Sequence, residues 1–260
     1  METRIEITSW KGAVFVIGLV IFAFWMHNFI YYYNPKLDET RMALRSDDPA
    51  IIAEALLEIK SLGMAKGHKL IPDILVLLGD ERPVPEEIAK KMMLQFKSMP
   101  GAIFIPGIED RLKKILTIGH TAAIAIQGLV IIDVHHLRWI GGKAKKQIVS
   151  YVTKEIDPAD EYTLSNGLIA VGHIHRERLI PFWFDCLAIE SEPIRLLAMS
   201  GLSFYIYDRT HGLWTWKPEK EISSSMLENL KLCLEDPYPH IRQEAADLIF
   251  KLKKAGLPVM

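Results

Sequence analysis

Cysteine is nearly absent from this chain. Cys186 and Cys233 are the only two in 260 residues, too few for a disulfide framework and lacking the CxxC spacing of a zinc site. An excess of charge of one sign is also missing: Lys and Arg number 31 against 32 Asp and Glu, for a net charge of −1. No global positive field therefore draws the chain to phosphate backbones or anionic lipid, and nucleic acid is not expected as a partner. Sustained period-2 alternation is scarce, which argues against a sheet-based fold. What the chain has in quantity is apolar surface. Hydrophobic residues fill 50% of positions and charged residues 24%, values of a folding chain with a core to bury.

The longest apolar run comes first. Ala13 to Tyr33 carries no formal charge, and at about 1.5 Å per helical residue it covers a hydrocarbon core of roughly 30 Å. Trp10 precedes it and Tyr31, Tyr32 and Tyr33 close it, the placement of rings that prefer the headgroup layer. The run exceeds a signal-peptide h-region of about 7–15 residues, and no A-x-A-like cleavage site follows. It predicts a retained single-pass transmembrane helix over 13–33, after a short tail (1–12) and before a linker (34–45). Arg4 and Lys11 before the run balance Lys36, Arg41 and Arg45 after it, so positive charge does not set the orientation. A short tail ahead of a large body favours an extracytoplasmic body.

From residue 46 to 260 the chain reads as helix-length segments punctuated by Asp, Pro and Gly. Self-comparison gives them a period. Residues 236–252 align without gaps on residues 80–96, sharing the opening Asp, Pro83 with Pro239, and Ala89 with Ala245. At one shorter offset, Cys186, Leu187, Ile194, Arg195 and Ala198 recur as Cys233, Leu234, Ile241, Arg242 and Ala245. A further copy opens at Asp48 and Pro49, where Asp caps a helix and Pro occupies its first turn; weaker copies fall at 120–133 and 157–171. Small residues at Ala55, Ala89, Ala198 and Ala245 predict close helix approach.

These segments resemble HEAT repeats, whose second helix commonly opens with an Asp-Pro turn, then Val or Ile, an Arg, and a small residue a turn later. The resemblance implies an all-α fold, an α-α superhelix (solenoid) of two-helix units, in which Arg195 and Arg242 bond the Asp of a neighbouring repeat. One stretch departs from it. Residues 204–207 and 213–216, around a Gly-containing turn, read as two short aromatic strands, so a small β-hairpin insertion is expected. Tyr207, Trp214 and Trp216 are then candidate partner-binding residues, since large rings dominate interfaces energetically.

Two fragments look catalytic. Asp133 with His135, and Gly172-His173 with His175, resemble the opening and closing elements of calcineurin-type metallophosphoesterases, yet the Gly-Asp and Gly-Asn-His elements required between them are missing. The paired His-Glu ligands of deoxyhypusine hydroxylase, a HEAT-like enzyme, are missing too. The sequence therefore points to a non-enzymatic, membrane-anchored scaffold or accessory subunit with a protein partner, touching the bilayer through residues 13–33 and calling for no cofactor. The alternative is a metal-dependent enzyme using His135, His136, His173 and His175.

Overall fold

A computed structural model describes residues 17–22, 35–62, 67–97, 116–133, 138–172, 174, 179–211 and 222–256. The chain divides into two units, Met1–Glu39 and Thr40–Met260. In the first, residues 17–22 are helical with exposed apolar side chains; the rest of the expected span over 13–33 lies outside the described residues. Among the described residues no helix is long and apolar enough to cross a membrane. The segment expected as a linker is helical over Pro35–Leu44 (α1).

The regular elements of the second unit are all helical among the described residues, apart from one isolated bridge between Pro83 and Thr117. After α1 come α2 (Pro49–Leu62), a 3-10 turn at His68–Leu70, α3 (Ile71–Leu75), a second 3-10 turn at Val76–Gly79, and α4 (Glu86–Lys97). Then follow α5 (Ile118–Asp133), α6 (Arg138–Lys154), α7 (Glu161–Val171), α8 (Leu179–Cys186) and α9 (Glu192–His211). The last pair is α10 (Ser224–Leu232), extended by a 3-10 turn at Cys233–Glu235, and α11 (Pro239–Lys254).

Two rows of contacts organise these helices. In one row α2 packs on α5, α5 on α7, α7 on α9 and α9 on α11; in the other α3 meets α6, α6 meets α8 and α8 meets α10. The sequence dictates which face each helix turns inward. On α11, Ile241, Ala245, Leu248 and Leu252 recur at helical spacing and are fully buried, while Arg242, Gln243, Asp247 and Phe250 on the other side are exposed. The expected small residues behave unequally: Ala55, Ala198 and Ala245 are buried, whereas Ala89 is half-buried and its neighbour Ile88 takes the core position. The buried pair Val84 and Ile88 thus matches Ile241 and Ala245 at an offset one residue longer than the gapless alignment. Gly201 serves the same close packing, for a Cβ there would lie 2.8 Å from the buried Trp183 ring.

The aromatic hairpin is corrected by the structure. Residues 204–207 belong to α9, which runs unbroken from Glu192 to His211. The reason is periodicity: Ile194, Ala198, Leu202, Tyr205 and Ile206 continue one buried stripe, and helix packing overrides the strand preference of adjacent aromatics. The other expected strand, 213–216, lies outside the described residues.

Candidate functional site

Four of the expected repeat openings share one turn. The carboxylates of Asp48, Asp80, Asp157 and Asp236 each accept the backbone N–H two residues on, from Ala50, Arg82, Ala159 and Tyr238, at 2.8, 3.0, 2.9 and 2.9 Å. Such a turn offers the chain a local alternative to helix and re-aims it into the next one. At two of these turns an Arg adds long-range chemistry.

The first is at Asp236, whose side chain is almost wholly buried. Arg195, from α9, brings Nε to 2.8 Å from Asp236 Oδ2. The Arg195 N–H is not aimed along that line, so the contact is an ion pair more than a hydrogen bond. Arg195 Nη1 also donates to Ile189 O at 2.8 Å, and Arg242 Nη1 donates to Asp236 O at 2.6 Å. Each Arg thus caps the carbonyl six residues before it, at the same offset that relates the two pairs in sequence. The desolvation that burial imposes on both charges is met here by the partner and by these carbonyl and amide bonds.

At Asp80 the arrangement is branched: a local ion pair on the carboxylate and neutral bonds on the carbonyl. Arg82 holds the Asp80 carboxylate with Nη2 at 2.6 Å and reaches back to Asp47 O at 2.6 Å. Burial alone raises the Asp80 carboxyl, but the Arg82 hydrogen bonds outweigh it and hold the group below the ordinary carboxylate value. The carbonyl of Asp80 accepts from Gly119 N at 2.8 Å and from the Tyr162 hydroxyl at 3.1 Å. Because Tyr162 spends its proton there, it accepts from the Thr117 hydroxyl, with which it makes a short contact. Thr117 in turn accepts from His120 Nδ1 at 2.8 Å. A directed chain results, His120 to Thr117 to Tyr162 to Asp80 O, which assigns the proton to Nδ1 of His120. Burial pushes the Tyr162 phenol up, outweighing the bonds from Thr117 and Asn166 that lower it, so it stays a donor at neutral pH.

Asn166 completes the junction from α7. It is fully buried, its Nδ2 donates to Leu78 O at 2.8 Å, and its Oδ1 has no hydrogen-bond partner. Gly119 is required for this approach: a Cβ there would meet Leu78 O at 2.5 Å, Asn166 Nδ2 at 2.7 Å and Tyr162 Oη at 2.8 Å. The N–H groups that open α5 are thereby paired within the fold.

No protein-family model and no curated protein matches the chain.

Among the expected contact residues, Tyr207 is 63% exposed on α9; Trp214 and Trp216 lie outside the described residues. So do His135, His136, His173 and His175, and among the described residues no cluster of metal-ligating side chains occurs. Cys186 and Cys233 are buried, and burial pushes their thiols up to about 12 and about 11. Sequence reasoning missed the junction around Thr117, Tyr162 and Asn166. The one visible signal was Asn166 itself, a polar residue on the apolar face of a helix.

Proposed function

We propose that the chain is a membrane-anchored scaffold or accessory subunit, built as a HEAT-like α-α superhelix, that binds a protein partner. The observation that carries this reading is the recurrence of α8–α9 in α10–α11, with matching buried residues and matching arginine caps, joined by the Arg195–Asp236 pair. A two-helix unit that recurs in sequence, packs in two rows and bonds to the unit after it supports a solenoid, whose long surface suits protein partners. The charge-free run Ala13 to Tyr33 supports the anchor, which raises the effective concentration of the body near membrane complexes. Exposed Tyr207, with Trp214 and Trp216 beyond it in sequence, is the contact region this reading favours.

The test is extraction of the native chain in mild detergent, with quantitative mass spectrometry of what accompanies it. A membrane partner at fixed stoichiometry, lost in the Trp214→Ala/Trp216→Ala variant with Tm unchanged, is the expected result. Stoichiometric bound metal that disappears with His135→Ala and His173→Ala would overturn the reading in favour of an enzyme.

A further inference from the structure

The net charge of −1 conceals a strong segregation. Residues 111–154 hold eight Lys and Arg and a single Asp, a net of +7, so the remaining chain is correspondingly acidic. The structure gives part of this excess a surface. On α6, Lys143, Lys146, Gln147, Ser150 and Lys154 recur at helical spacing and are all exposed, while Ala144, Ile148, Val149 and Val152 face the core. Helix α6 contains no acidic residue. It packs on α3, α5, α7, α8 and the His68–Leu70 turn, and none of these supplies a counter-charge: Lys143, Lys146 and Lys154 form no ion pair among the described residues. Elsewhere Lys90 is matched by Glu86 at 2.6 Å and the half-buried Lys231 by Glu228 at 3.0 Å. Acidic side chains return only after Lys154, at Glu155 and Asp157.

We infer that the exposed lysine face of α6 is a second membrane contact, docking on the anionic headgroups of the bilayer that holds the anchor, with the body on the side where those headgroups lie and not on the side that the short tail favours. The inference rests on the anchored reading above. A body tethered by a short segment samples headgroups at high effective concentration, and each lysine near an anionic surface strengthens association by about fivefold. Such a face needs no pocket, because headgroups are numerous and mobile and the attraction is additive charge. It acts within a Debye length and weakens with salt. The serine and glutamine between the lysines keep the surface polar, so it rests on headgroups and does not enter the acyl layer, unlike an interfacial helix with an apolar outer face.

The experiment uses the full chain reconstituted in vesicles of phosphatidylcholine alone or with about 30% phosphatidylserine. Acylation rates of individual lysines are read by mass spectrometry. Lys143 and Lys146 are expected to react about fivefold or more slowly in the anionic vesicles, with recovery in about 0.5 M NaCl, while Lys253 and Lys254 react alike in both. Backbone hydrogen exchange over 143–154 should show the same lipid-dependent protection in wild type and lose it in Lys143→Gln/Lys146→Gln, whose circular dichroism should match wild type.

Equal rates in the two vesicles, in a chain that resists alkaline carbonate extraction, would sink the lipid contact and leave the anchor standing. Slow reaction in both vesicles would also overturn it, pointing to a protein or self-contact. Release by carbonate from neutral vesicles, with anionic slowing retained, would overturn the anchor and uphold the lysine face.

Discussion

Two junctions in the second unit solve one problem with different chemistry. Near the C-terminus a buried ion pair, Arg195–Asp236, ties α9 to the turn before α11. In the middle of the unit a mostly neutral set, Thr117, Tyr162 and Asn166 with the carbonyls of Leu78 and Asp80, ties α5 and α7 to the turn before α4. Charge concentrates the tie in two side chains, where losing one strands the other in a dry site. Neutral bonds distribute it, so each is worth less and each loss is milder.

The sharpest way to break that contrast is to remove one charge. Asp236→Ala strands Arg195 and should cost about 3–5 kcal/mol, while adding Arg195→Met should recover much of the loss. Denaturant melts of the single and double variants decide it, and an additive double variant would mean the pair is not a coupled unit. At the neutral junction Asn166→Ala leaves the Leu78 carbonyl unpaired and should cost about 1–3 kcal/mol, measured in the same melts. Tyr162→Phe, which leaves packing intact and deletes one hydroxyl, should cost about 0.5–1.5 kcal/mol; a larger loss would make the chain from His120 to Asp80 cooperative.

The smallest effect is a pH dependence. The folded-state value of Asp80 is lowered, so its contribution is present above the unfolded carboxylate value of about 3.9 and is lost as pH falls through the lower folded value. Arg82→Gln removes the cause. The stability gap between wild type and this variant should therefore close as an acid titration passes through that range, and a gap constant with pH would assign the Arg82 effect to its bond with the Asp47 carbonyl.

What the sequence made legible follows from how local each signal is. The Asp turns were readable because an Asp bonds its own neighbours, two residues away, so identity and position alone predict them. The equivalence of Cys186 with Cys233, and of Ile194 with Ile241, was readable because one period places both members in the same environment. The neutral junction was not, since Tyr162 and Asp80 are 82 positions apart and nothing in either segment announces the other. Residues 204–207 misled for the opposite reason: the local aromatic cluster was read without the stripe that begins ten residues earlier at Ile194. The one-residue slip between residues 80–96 and 236–252 shows the same lesson in miniature. Identity favoured matching Ala89 with Ala245, but burial matches Ile88 to it, because packing follows the face a helix presents.

Burial also decides how the two thiols react. Burial raises both thiols well above the ordinary cysteine value, so the thiolate, the species that attacks disulfides and oxidants, is scarce at neutral pH. Both side chains are also buried away from solvent. Neither is therefore expected to cross-link the chain to itself or to its neighbours, and an engineered surface cysteine would be the one thiol to answer a labelling reagent.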